Sequence, residues 1–220
     1  MNAFNHEGKL HQGNPVLSAG NPVDQAGAAM IMLHGRGASA RDILTLTQEL
    51  EHPDFAYLAP QASNYTWYPY SFLSPIEQNE PWLSSALDLV DDVMGKVSEA
   101  GIPAERTILL GFSQGACLAV EYVARNPKRY GGLVGFSGGL IGPPGMEWDY
   151  QGSLAGTPVF LGCSDVDPHI PKERVLETED MLAKLGAEVT TRLYPGMGHM
   201  INRDEIEHAL EIMRSLGQGG

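Results

Sequence analysis

Residues 107–125 read TILLGFSQGACLAVEYVAR. Thr107–Phe112 is a short apolar run without polar alternation, the pattern of a strand covered on both faces in a parallel sheet. Gln114–Arg125 holds good helix formers with an apolar stripe at Ala116, Ala119, Val120 and Val123, and Asn126-Pro127 ends it. One residue, Ser113, separates the two. Gly111 and Gly115 stand two places to either side, where a strand must turn sharply into a helix and the two must approach closely.

The same alternation extends in both directions. Ala28–Leu33, Phe55–Ala59, Gly132–Phe136, Pro158–Gly162 and Val189–Tyr194 read as further strands of the buried type. Helical patterning runs through Arg41–Leu50, Asn79–Ala100, Lys172–Leu185 and Asp204–Leu216. The clearest of these places Leu83, Leu87, Val90, Met94 and Val97 at helical spacing and stops at Gly101. Strands alternating with helices imply βαβ units with right-handed crossovers. The expectation is an α/β fold in one domain over residues 1–220, its mainly parallel sheet flanked by helices on both faces. Two irregular segments, aromatic-rich Gln61–Gln78 and Gly/Pro-rich Gly138–Gly156, fall outside the sheet, where binding loops collect.

Gly111–Gly115 fits G-x-S-x-G, the pattern of a nucleophilic serine on a strained strand-to-helix turn. The pattern alone decides little, because Gly135–Gly139 (GFSGG) fits it too. Ser137 also follows an apolar strand, but the GGLIGPPG after it cannot be helical. The helix matters because its N-terminal N–H groups and dipole face a developing oxyanion. Ser113 is therefore the expected nucleophile, and Ser137 a strand-end serine satisfied by local backbone.

A serine elbow calls for an acid and then a histidine later in the chain. Of His169, His199 and His208, the last lies inside a helical stretch. His199 follows the last strand in YPGMGH (194–199), a glycine-punctuated loop able to bring an imidazole back over the sheet edge. The loop after Pro158–Gly162 carries Asp165 and Asp167 at the carboxyl end of its strand, where ligands of parallel sheets gather. Spacing does not separate the two, and His169 stands close to both. Early in the chain, HGRGA (34–38) follows a strand, so the Arg36 N–H is expected to pair with that of Gln114 as oxyanion donors. This loop lacks the G-x-x-x-x-G-K-[ST] pattern of a phosphate cradle.

With these stretches in place, the chain resembles the phospholipase/carboxylesterase family of α/β-hydrolases, which includes the acyl-protein thioesterases. The resemblance rests on LHGRGAS (33–39), GFSQGACLA (111–119), GFSGGL (135–140), DVDPHIP (165–171) and YPGMGH (194–199), in the family's order. It implies the α/β-hydrolase fold and a triad of Ser113, His199 and Asp167, since the family's acid is the aspartate before proline. It also implies that GFSGG is not a nucleophile site. In one place the chain departs. Acyl-protein thioesterases resembling it carry W-[FY]-D before the long helix, whereas Thr66–Phe72 reads TWYPYSF without the aspartate. A smaller, aromatic-walled pocket for short or aromatic esters is expected. Trp67, Tyr68, Tyr70 and Phe72 either contact substrate there or pack their loop onto the core.

The reading that emerges is a serine carboxylesterase that hydrolyses small carboxylic esters through an acyl-enzyme. An acyl-thioesterase or lysophospholipase is the nearest alternative. A catalytically silent hydrolase fold serving as a binding protein is another. A metal-dependent hydrolase using Asp165, Asp167, His169 and His199 is disfavoured, because definite ligand spacing is absent. No metal or cofactor is called for. The net charge of −13, from 27 acidic and 14 basic residues, repels phosphate backbones and argues against nucleic acid as a partner. Cys117 and Cys163 lie in apolar stretches and read as buried free thiols of a reducing compartment. No stretch approaches the ~20 apolar residues of a membrane span, and residues 1–13 do not read as a signal peptide. A cytoplasmic enzyme acting on a small-molecule ester, with room for a homodimer, is the expectation.

Overall fold

The structure is a computed structural model that describes residues 9–217; the reading of residues 1–8 as part of a chain start without a leader lies outside them. Its strands are β1 (Val16–Gly20), β2 (Ala28–Leu33), β3 (Phe55–Pro60), β4 (Thr107–Phe112), β5 (Gly132–Phe136), β6 (Pro158–Ser164) and β7 (Glu188–Tyr194). They form one sheet in the order β1-β3-β2-β4-β5-β6-β7. Every pairing is parallel except β1 with β3, which is antiparallel. The helices are α1 (Ala40–Leu44), α2 (Trp82–Glu99), α3 (Gln114–Arg125), α4 (Lys172–Lys184) and α5 (Arg203–Gly217).

Side chains alternate across each strand, so the sheet divides the apolar residues into two cores. Ala29, Ile31 and Leu33 of β2 join α2, α3 and α4 on one face, while Ala28, Met30 and Met32 join α1 and α5 on the other. Fully burying each large aliphatic side chain contributes about 1.5–3 kcal/mol. That explains why β2 to β6 carry apolar residues at successive positions: both faces are covered. This is the α/β-hydrolase fold.

The structure departs from the sequence reading in four places. The strand β1 was not anticipated; its VLSAG is short and only partly buried, as suits an edge. Edge strand β7 alternates, with Glu188, Thr190 and Arg192 exposed, rather than reading as buried on both faces. The helix expected over 41–50 ends at Leu44 and continues as a 3₁₀ turn, where the Thr45 and Thr47 hydroxyls donate back to the carbonyls of Asp42 and Leu44. The helix expected from Asn79 starts at Trp82, because the Asn79 side chain is bonded to the Tyr70 N–H and the Ser71 carbonyl.

Candidate active site

The turn from β4 to α3 carries Ser113 at φ 55°, ψ −120°, a conformation that L-residues rarely adopt. Packing enforces it. A Cβ on Gly115 would collide with the Leu33 carbonyl oxygen, and one on Gly111 with the Gly115 carbonyl oxygen. The Ser113 N–H donates to the Phe136 carbonyl at 2.9 Å, tying the turn to β5. Helix α3 then runs through the interior with every residue from Gln114 to Ala124 buried, a wider contact than a single apolar stripe. Glu121, on this helix, is fully buried and accepts from Arg125 (2.6 Å), Tyr150 (2.8 Å) and the Ile141 N–H (3.0 Å). Those bonds hold the 138–156 loop against α3.

Three side chains from three strand ends meet at this turn. His199 Nε2 lies 2.9 Å from Ser113 Oγ, and His199 Nδ1 lies 2.7 Å from Asp167 Oδ2. The other Asp167 oxygen accepts the His169 and Ile170 N–H groups at 2.8 and 3.0 Å. Burial acts to raise the Asp167 pKa, but these hydrogen bonds outweigh it and hold the carboxyl below its ordinary value. The group stays ionised beside the imidazole. Asp165 does different work: its Oδ1 accepts the Gly196 N–H at 2.8 Å, fixing the loop that carries His199. Ser164 Oγ helps by accepting the Gly198 N–H at 3.1 Å. Of the two aspartates, Asp167 is the one bonded to His199.

Ser137 takes no part in this chain of bonds, although the Cys163 thiol beside it also reaches Asp167 Oδ2 at 3.8 Å. It is fully buried at φ 50°, its N–H donates to the Gly162 carbonyl at 2.7 Å, and the glycines after it pack against α3 and α4. Its hydroxyl has no ordinary hydrogen-bond partner among the described residues, which corrects the expectation of a satisfied strand-end serine. Only the Cys163 thiol, a weak partner, stands beside it. Cys117 and Cys163 are both free and buried.

The loop after β2 borders the serine; a Cβ placed on Gly35 would lie 3.5 Å from that of Ser113. Buried His34 sets its backbone. Burial lowers the His34 pKa, and the neutral ring donates from Nδ1 to the Gly35 carbonyl (2.8 Å) while Nε2 accepts the Ala62 N–H (3.1 Å). In a planar trans peptide the Arg36 N–H points opposite to that carbonyl. Neither it nor the Gln114 N–H, the first of α3, has a partner among the described residues. Both residues line the same cleft as Ser113.

These residues open into a cleft of about 470 Å³ lined mainly by apolar surface, including Phe72, Phe112 and Ile170. Tyr68, Tyr70 and Phe72 line it too, with Tyr70 largely exposed. Trp67 does not. It is fully buried, and its indole N–H donates to the His34 carbonyl at 2.8 Å. Its position supports the wall from behind. The Gln114 side chain does the same, accepting the Trp67 N–H (2.9 Å) and donating to the Tyr68 carbonyl (2.8 Å). The sequence reading did not assign that role to the side chain, although the residue stands inside the motif. Among the described residues no group of three or more His, Cys, Asp or Glu side chains is arranged to hold a metal ion.

A family model described as Phospholipase/Carboxylesterase matches residues 16–216. The chain belongs to the phospholipase/carboxylesterase family. A crystal structure of a phospholipase/carboxylesterase from Dyadobacter fermentans is 44% identical, with a TM-score of 0.87, covering 92% of this chain and 97% of that one. Among curated relatives, acyl-protein thioesterase 1 of Neurospora crassa is 28% identical over 53% of this chain and 48% of its own length. That of Saccharomyces cerevisiae is 29% identical over 59% and 58%. The chain spans about half the length of these curated relatives. Within this family member no helix of the described residues is long and apolar enough to cross a membrane.

Proposed function

We propose that the protein is a serine carboxylesterase hydrolysing small, short-chain or aromatic carboxylic esters. The observation that carries this reading is the hydrogen-bonded series Asp167–His199–Ser113 at the floor of an open, largely apolar cleft. His199 Nε2 takes the Ser113 proton as Oγ attacks the ester carbonyl. The negative oxygen of the tetrahedral adduct accepts from the Arg36 and Gln114 N–H groups, worth about 3 kcal/mol per donor in comparable sites. Asp167 holds the Nδ1–H tautomer and stabilises the imidazolium. His199 then gives its proton to the leaving alcohol. Water, deprotonated by the same imidazole, cleaves the acyl-enzyme and restores Ser113.

The names of the fungal relatives favour a second reading, hydrolysis of acyl-thioesters. A chain-length series of p-nitrophenyl esters and acyl-thioesters separates the two. Highest kcat/KM on short esters is expected; a strong preference for long acyl-thioesters would overturn the small-ester reading. A fluorophosphonate probe should label the wild type and not Ser113→Ala, whose ester turnover falls about ten-thousand-fold or more. Equal labelling of both would exclude Ser113 as the nucleophile.

A further inference from the structure

Acidic side chains outnumber Lys and Arg 27 to 14 in this chain. The cleft reverses that balance: Arg36 is among its lining residues, and no Asp or Glu is. Three carboxylates bonded within the site and its supporting loops are already taken up. Asp167 has no exposed side-chain surface and is bound to His199. Asp165 holds Gly196, and Glu121 is taken up by Arg125 and Tyr150.

Arg36 is exposed at the rim and has no carboxylate partner among the described residues. Its Nη1 donates to the Pro69 carbonyl at 2.8 Å and its Nη2 to the Tyr70 carbonyl at 2.6 Å. Its Cζ lies 6.0 Å from the centroid of the Tyr68 ring. Two carbonyls and a ring face fix the guanidinium without neutralising it. A guanidinium has five N–H donors, so three remain, in the fork that suits carboxylate and phosphate oxygens. Inside the rim the walls are apolar, so a charged group of a substrate has its place at Arg36 and the uncharged part lies within.

We propose that the cleft takes esters carrying an anionic group, a carboxylate or phosphate, and that the Arg36 guanidinium is the specificity-determining group that receives it. This rests on Ser113 being the nucleophile. The anion belongs either to the acyl part, as in a monoester of a short dicarboxylic acid, or to the alcohol part.

Two matched pairs test it. The first is p-nitrophenyl hydrogen glutarate against p-nitrophenyl pentanoate, with the charge on the acyl side. The second is p-acetoxybenzoate against its methyl ester, with the charge on the alcohol side. In at least one pair the wild type should prefer the anionic member by about tenfold or more in kcat/KM, and added salt should reduce that ratio. Arg36→Gln should bring the ratio down about tenfold, mainly through KM, and Arg36→Lys should retain most of it. No anionic preference in either pair, or an Arg36→Gln loss that scales both members equally, would overturn the proposal. Turnover of the neutral esters that is independent of Ser113 would remove the nucleophile reading and this one with it. Ser113-dependent turnover without anionic preference would remove this one alone.

Discussion

Two aspartates two positions apart make different hydrogen bonds, and those bonds suit them to different tasks. Asp167 faces the imidazole and is stabilised as an anion by two backbone N–H groups. Asp165 holds a single glycine N–H in the loop that carries His199. An asparagine at 167 can present its amide to Nδ1 and so favour the wrong tautomer, a loss of about ten-thousand-fold in kcat in comparable triads. An asparagine at 165 keeps the acceptor that Gly196 needs. Asp167→Asn is therefore expected to lose nearly all turnover of a short p-nitrophenyl ester, while Asp165→Asn stays within roughly tenfold of wild type, a change of about 1.4 kcal/mol. Steady-state kinetics on folded variants checks the pair. Sequence spacing leaves these two residues level; the family resemblance points to Asp167, the aspartate before proline, and the bonds supply a physical reason for that choice.

At the scale of elements, the strands from β2 to β6 were legible because both faces are covered and the apolar runs are unbroken. The serine turn was legible for a related reason: the glycines that permit it are in the sequence, and the helix after it has no competing pattern. What stayed hidden was set by contacts between elements distant in sequence. From its loop, Trp67 reads equally as a substrate aromatic or as loop packing, and what decides for packing is its indole bond to His34, 33 residues away. The Gln114 side chain joins the elbow to residues 66–68, some 46–48 positions earlier. No local pattern encodes such partners. Truncation makes their weight measurable. Gln114→Ala would leave the buried Trp67 N–H without its partner, at about 1–3 kcal/mol for one unsatisfied group, while the Tyr68 carbonyl keeps the Thr66 hydroxyl at 3.0 Å. A fall of about 1–3 kcal/mol in urea-unfolding stability is expected, with reduced kcat/KM from a displaced cleft wall. A loss below about 0.5 kcal/mol would show that the loop is held by other means.

At the scale of the whole molecule, α5 closes the second core through Ile206, Ala209, Ile212 and Met213. It begins with a charge problem. Glu205 is fully buried against Gly162; one carboxyl oxygen accepts the Asn202 N–H at 2.8 Å and the other has no partner among the described residues. Burial pushes its pKa from an ordinary 4.5 to about 7, with the Asn202 bond acting against the rise and the Asp204 charge adding to it. Below about pH 4.5 the folded and unfolded states both hold the proton. Between pH 4.5 and 7 the unfolded chain releases it while the folded state keeps it, so stability falls as pH rises. Above pH 7 the loss is complete, on the order of 3 kcal/mol if the whole shift is realised. Glu205→Gln removes this dependence without removing the acceptor. Its unfolding free energy minus that of wild type should therefore be larger at pH 8 than at pH 5 by on the order of 1–3 kcal/mol, measured by urea denaturation at both values. Any fixed cost of burying the amide cancels in that comparison. An equal gap at both pH values would mean that Glu205 is already ionised in the folded protein at pH 5, its charge met by a partner inside the core.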